Sequence, residues 1–330
     1  MKALVYTAPK ALEYRDVANP VASAGEVLVR VESVGICGSD MHAFLGHDER
    51  RPAPLILGHE VSGTLTSGPN TGQRVTVNPL VTCGHCKACV SGRDNLCPDR
   101  QIISMQPREG GFAEQLTMPE RNLVALPDTI STDQAALAEP IACGWHAVRL
   151  GNALLSNPSD AKALVMGGGA IGLGAALSLQ AQGISNVLIV EPNTQRRAYL
   201  DDQCGQTSIA PENLAETQQF DIIVDGVGIE ASRAQASAHT KPGGVIVHIG
   251  LGSATGGLDI RRMTLQEITF IGTYTYTAQD FRDTAQAMFE GRLGALDWTD
   301  NWPLEDGQAA FQAIRAGTVA APKILLKPDH

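Results

Sequence analysis

Ala163-Leu164-Val165-Met166-Gly167-Gly168-Gly169-Ala170-Ile171-Gly172 is the stretch on which the fold of this chain turns. Four apolar residues run straight into G-x-G-x-x-G at Gly167, Gly169 and Gly172, and an apolar segment of helical length follows. A parallel strand covered on both faces has this uninterrupted apolar character. Glycines close the turn tightly and let a pyrophosphate approach the helix N-terminus, where unpaired N–H groups favour an anion. The next apolar run, Val187-Leu188-Ile189-Val190, ends in Glu191, 19 residues after Gly172, the position of an acid that accepts from ribose hydroxyls. A carboxylate there repels a 2′-phosphate, so the expected cofactor is NAD. Arg196 and Arg197 are candidates to stack on adenine or reach a phosphate. The span Ala163–Val190 carries no charge, and a hydropathy window takes it for a membrane span. Its glycines, Gln180, Gln182, Ser185 and Asn186, with a break at Gly183, read instead as strand, turn, helix and strand.

Working outward, apolar runs at Asp221–Asp225, Gly244–Ile249 and Thr269–Gly272 alternate with helical segments. Residues 140–278 therefore read as a doubly wound α/β domain with a parallel sheet, a Rossmann dinucleotide-binding domain. Asp225-Gly226-Val227-Gly228 and His248-Ile249-Gly250-Leu251 end later strands on the same carboxyl edge. Upstream, short β-rich runs such as Gly25–Val31 and Gly72–Val77, broken by Gly and Pro, read as an irregular β domain. After Gln279 comes helical spacing through Phe289 and then Lys323-Ile324-Leu325-Leu326, a closing strand expected to rejoin the first domain. Residues 1–139 with 279–330 are thus assigned to one domain. The chain of 330 residues has 43% hydrophobic residues and a formal charge of −10, which disfavours nucleic acid or an anionic membrane as partner. Met1–Tyr6 reads as a first strand and not a signal peptide, so a cytoplasmic location is expected.

Cys83, Cys86, Cys89 and Cys97 form a C-x2-C-x2-C-x7-C lobe at about residues 81–99. Four thiolates can surround one tetrahedral zinc at ~2.3 Å and leave no position for substrate, so this site reads as structural. Unpaired thiols, a disulfide pair or an iron–sulfur cluster are the alternatives. A different chemistry is offered by Gly35–His42, which reads as a helix start that favours a thiolate at Cys37, and by Gly58-His59-Glu60, which supplies nitrogen and oxygen donors. Cys143 and Cys204 are read as packed.

With Gly110–Glu114 and Ala138-Glu139-Pro140 added, the chain resembles the zinc-containing medium-chain dehydrogenases, in their sorbitol, threonine and polyol dehydrogenase branch, over nearly its whole length. The resemblance implies that the β domain is GroES-like. It implies that Cys37 and His59 bind a catalytic zinc, with Glu60 as a direct or water-mediated ligand and Glu139 where other members place a second Cys. Ser39 then contacts the substrate oxygen and passes its proton outward, and His42, one helical turn on, is a candidate relay. Two zinc ions per chain, NAD and a homo-oligomer, dimer or tetramer, follow from the same resemblance. The implied reaction is hydride transfer from a secondary alcohol, a polyol or sugar alcohol, to give a ketone. Rival readings are a general alcohol dehydrogenase, a zinc-free NADPH reductase and a non-enzymatic member of the family. Two departures stand out: Val61–Gly72 is short for this branch, and Gly272–Tyr276 lacks an Arg near Thr275. The substrate is therefore read as a class, with Tyr274, Thr275 and Tyr276 as candidates to bond remote hydroxyls.

Overall fold

Strand Glu26–Gly35 alternates half-exposed and buried residues until its last three, which are all buried. That period of two turns one face to a core. In the computed structural model, which describes residues 1–329, it is the spine of a seven-stranded sheet. The order is Leu123–Ala125, Arg74–Val77, Glu60–Leu65, Glu26–Gly35, Lys323–Lys327 and Thr299–Pro303, with Gln115–Pro119 also pairing to Glu26–Gly35. The expected closing strand does rejoin this body: Leu325 lies opposite Gly35 and Leu326 opposite Val34. A small sheet of Lys2–Ala8, Ala11–Asp16 and Leu55–Ile56 completes it. Leu4, Phe44, Phe112 and Phe311 fill the core between them.

The second body is a six-stranded parallel sheet in the order Ser208–Ile209, Asn186–Val190, Lys162–Met166, Phe220–Asp225, Thr240–His248 and Thr269–Gly272. Chain order reverses beside Lys162–Met166, and a crevice opens at the carboxyl ends of the strands there. The charge-free span folds as strand Lys162–Met166, helix Ala170–Ala181 and strand Asn186–Val190. No helix among the described residues is long and apolar enough to cross a membrane.

Helix Ala138–Asn152 lies backbone to backbone on Ala170–Ala181. A Cβ at Gly144 would sit 2.6 Å from the Ala175 nitrogen, so only glycine permits this approach. Helix Ala278–Phe289, which the division at residue 279 assigned to the first domain, packs instead in the second core through Phe281, Ala287 and Met288, followed by Leu293, Leu296 and Trp298. The chain re-enters the first body only at Thr299–Pro303. Helical spacing shows which face is buried but not which core receives it.

Candidate active site

Strand Glu26–Gly35 delivers the chain to Cys37, the N-cap of helix Gly38–Phe44, while the antiparallel strand Glu60–Leu65 brings Glu60 opposite Gly35. A Cβ at Gly35 would overlap Glu60 Oε2, so glycine is required for the two strand ends to meet here. As a result the donor atoms of Cys37, His59 and Glu60 all lie within 4.8 Å of one another. Glu60 is fully buried, and its Oε1 accepts from Lys323 Nζ at 2.6 Å. The same Nζ donates to the Ile36 carbonyl at 2.8 Å. Glu60 Oε2 has no hydrogen-bond partner. A buried carboxylate oxygen without a donor is costly, and a cation held by this cluster satisfies it. One thiolate, one imidazole and one carboxylate fit zinc and leave a coordination position open, as catalytic zinc sites do.

Asp40, fully buried, organises the cluster. Its Oδ2 accepts from the Cys37 amide at 3.0 Å and its Oδ1 from the Gly58 amide at 3.3 Å. The Nδ1 atom of His59 lies 3.4 Å from Asp40 Oδ1 and 3.3 Å from Ser104 Oγ. Burial opposes a positive charge on His59, yet the Asp40 carboxylate and Cys37 outweigh it and raise its pKa. Asp40 is lowered against its own burial, chiefly by His59. A carboxylate that orients a metal-ligating histidine is a common supporting feature of such sites. Nothing in the sequence marks Asp40 for this role, because an acid in a first helical turn has the pattern of a cap. Nor does it mark Lys323, because a Lys opening an apolar strand has the pattern of a solvent end.

Glu139 stands next to this cluster and not within it. Its Oε1 accepts from Tyr276 Oη at 2.8 Å, both side chains being buried. Burial raises its pKa and Glu60 adds to that, while His59 works the other way. Of the two glutamates left open by the sequence, Glu60 is the one brought among the donor atoms. Ser39 is half-buried, with Arg51 Nη2 at 3.5 Å from its Oγ, and Arg51 itself is anchored by Asp48 at 2.8 Å. His42 is exposed and does not bond Ser39. Tyr274 departs from expectation: its hydroxyl turns to Arg100 Nε at 3.3 Å, away from the alcohol site.

A cavity of about 330 Å³ joins the metal cluster to the glycine turn, bounded by Cys37, Glu60 and Lys323 on one side and by Gly169, Glu191 and Arg196 on the other. Gly167 takes φ 93°, and a Cβ on Gly172 would overlap the Gly167 carbonyl. Glu191 locks this turn, its Oε2 accepting from the Gly168 amide at 2.7 Å and its Oε1 from that of Asn193 at 2.8 Å. Arg196 spans the cleft, with Nη2 on the Val319 carbonyl at 2.8 Å. Arg197 is instead held by the carbonyls of Glu191 and Pro192. A larger cavity of about 570 Å³, bordered by Arg15, Glu26 and Arg108, lies against the first sheet. Neither metal-binding cluster borders it, so chemistry and not size selects the cleft.

In the lobe, Sγ–Sγ separations are 3.9 Å for Cys83–Cys89, 3.5 Å for Cys86–Cys89 and 3.6 Å for Cys83–Cys97. Four sulfurs at ~2.3 Å from one tetrahedral zinc stand ~3.8 Å apart, whereas a disulfide needs ~2.05 Å. The geometry fits a single ion and no disulfide. Amides of His85 and Cys86 pull the Cys83 pKa down to about 6, while burial pushes Cys89 up to about 12. Four thiols this close cannot all ionise without a cation among them.

Residues 23–128 match the family model described as the alcohol dehydrogenase GroES-like domain, and residues 170–290 match that described as zinc-binding dehydrogenase. The L-galactonate-5-dehydrogenase of Escherichia coli strain K12 is 31% identical, over 89% of this chain and 89% of that protein. The sorbitol dehydrogenase of Bacillus subtilis strain 168 is 28% identical, over 100% and 98%. Among solved structures, the 2R,3R-butanediol dehydrogenase from Bacillus subtilis superposes with a TM-score of 0.85 at 27% identity, covering 99% of each chain.

Proposed function

The chain belongs to the zinc-binding alcohol dehydrogenase family, and from that membership we propose that it oxidises a secondary alcohol bearing a neighbouring hydroxyl, a polyol or sugar-derived alcohol, to a ketone with NAD. The observation that carries this reading is the single cleft in which Cys37, Glu60 and Lys323 face the Gly167–Gly172 turn and Glu191. Cys37, His59 and Glu60 would hold zinc, which would supply Lewis acidity at the substrate hydroxyl. Bound NAD would supply the hydride acceptor, the half-buried Ser39 would carry the hydroxyl proton outward, and the exposed His42, which makes no hydrogen bond to Ser39, would receive it through solvent. Asp40 and Lys323 keep His59 and Glu60 oriented. Only one of the three donors is a thiolate, which would leave a bound zinc hard enough to accept two vicinal oxygens. The three relatives, named for galactonate, sorbitol and a butanediol, support a substrate with more than one oxygen.

Glu191 on the cofactor side supports NAD over NADP. The protein is further proposed to act in the cytoplasm, in keeping with seven cysteines of which none is in a disulfide. A homo-oligomer is supported by the edge strand Thr269–Gly272, paired on one side only, and by Leu251, Ile260 and Leu265, each more than half exposed in the segment leading to it. The test is a panel of polyols and matched mono-alcohols under saturating NAD and then NADP. Higher kcat/KM for vicinal diols, with NAD, is the expected result. Ethanol exceeding every polyol replaces this reading with a general alcohol dehydrogenase, and equal use of NADP removes the role given to Glu191.

A further inference from the structure

The loop of residues 273–277 joins strand Thr269–Gly272 to helix Ala278–Phe289 and carries Tyr276, whose hydroxyl meets Glu139 beside the metal cluster. Within it Thr275 takes φ 47°, a left-handed conformation that a β-branched residue keeps only when its surroundings impose it. Those surroundings include the cysteine lobe. Between Cys89 and Cys97, the turn Asp94–Leu96 presents Asn95, only 4% exposed, whose Nδ2 donates to the Tyr274 carbonyl at 2.8 Å. Its neighbour Asp94 accepts from the Ala278 amide with both oxygens, at 3.2 and 3.1 Å. The Arg100 guanidinium lies 4.8 Å from the centre of the Tyr274 ring. The turn is fixed in turn to the cluster, since the Cys97 amide donates to the Asp94 carbonyl at 2.9 Å. Residues on both sides of Tyr276 are therefore held by a segment that the four cysteines hold.

We propose that the four-cysteine lobe is a positioning element for the alcohol end of the cleft: Asp94 and Asn95 clamp the backbone of Tyr274 and Ala278, and so keep the Tyr276 hydroxyl against Glu139. This deepens the dehydrogenase reading and rests on it. Asp94 and Asn95 are positioning residues and do not touch the reacting atoms. A metal bound by the lobe then sets alcohol affinity as well as local stability, because the clamp loosens when the thiols are not drawn together.

The experiment is hydrogen exchange over the peptide Tyr274–Ala278 in full-length zinc-loaded protein, wild type against Asn95→Ala and Asp94→Ala, with KM for a diol and for NAD measured on the same samples. Loss of one such hydrogen bond should speed exchange there by about tenfold, and raise the diol KM by a similar factor with the NAD KM unchanged. Asn95→Asp keeps the shape but sets an acceptor against the Tyr274 carbonyl, so it should exceed Asn95→Ala. Asp94→Asn retains an acceptor for the Ala278 amide and should restore most of what Asp94→Ala loses. Arg100→Ala changes an exposed side chain, so it folds even if the buried variants do not, and should give the same pattern at about threefold. Unchanged exchange in Asn95→Ala and in Arg100→Ala overturns the proposal whatever the turnover. Faster exchange with an unmoved diol KM in an active protein overturns it too. Faster exchange in a protein that oxidises no alcohol upholds the clamp and refutes the dehydrogenase reading instead.

Discussion

The two cysteine-bearing sites are built in opposite ways. In the lobe, all four donors come from residues 83–97 and three of the four thiols are half-buried. In the cleft, Cys37 caps a helix, Glu60 opens a neighbouring strand and His59 immediately precedes it, while Asp40, Lys323, Glu139 and Tyr276 converge from four parts of the chain. A closed tetrahedral site needs only four thiolates with flexible spacers. An open one must leave a position free and still satisfy every buried charge around it, which takes partners that only the assembled fold supplies.

The widest separation between the two is expected from removing one sulfur at each. Cys37→Ala takes away one of three donors and should lower kcat by ~10³-fold or more, because the metal's contribution is worth several kcal/mol. NAD affinity should stay within about twofold, since the glycine turn is untouched. Cys89→Ser should instead lower thermal stability and zinc content, with the cleft zinc retained. Elemental analysis, NAD titration and steady-state rates on the same preparations decide this. Active protein free of zinc, or equal loss of kcat with full zinc content in both variants, breaks the distinction.

Asp40→Asn sharpens it. Asparagine keeps a carbonyl for one of the amides of Cys37 and Gly58 but loses the charge beside His59. Supporting carboxylates of this kind change metal affinity by ~10- to 100-fold. Competition with a zinc chelator should therefore show one of two zinc ions weakened by that factor and the lobe ion unmoved. If both ions weaken together, Asp40 acts on folding as a whole.

What could be read from the sequence follows the same division. The Gly167–Gly172 turn, Glu191 and the four-cysteine lobe are local: each is a spacing within a strand-to-helix or loop segment, so each can be read without the assembled fold. Cys37 and Glu60 were legible as donors, but their meeting depends on a register that places Gly35 opposite Glu60. Strand Thr299–Pro303 was missed because Thr-Asp-Asn-Trp-Pro has no apolar alternation, being a sheet edge. Lys323 and Tyr274 show the remaining limit. The charged end of a strand turns inward to meet a buried carboxylate, and a tyrosine beside the alcohol site turns outward to the lobe, because of partners more than 170 residues away in sequence.

The smallest effect concerns how the open site is held from its far side. Asp280, in the first turn of helix Ala278–Phe289 behind its N-cap Thr277, gathers His146 Nδ1 at 2.7 Å, Arg149 Nε at 2.6 Å and Thr277 Oγ1 at 2.6 Å, tying the end of the Tyr276 loop to helix Ala138–Asn152, which bears Glu139. Burial works to raise the Asp280 pKa, but the hydrogen bonds from His146, Arg149 and Thr277 outweigh it and hold the carboxyl well below the usual range. A carboxylate depressed in the folded state contributes stability that is complete above its unfolded value of ~3.9 and is lost as pH falls through the lower folded value. Asp280→Asn keeps the shape and removes the charge, and should cost about 1.5 kcal/mol at neutral pH. Urea unfolding of both proteins from neutral pH downward checks this: the gap should persist to about pH 5 and close only in acid. A gap that is absent at neutral pH, or that widens as pH falls, shows that the anchor is one of shape alone, and the open site would then be no more dependent on distant charge than the lobe.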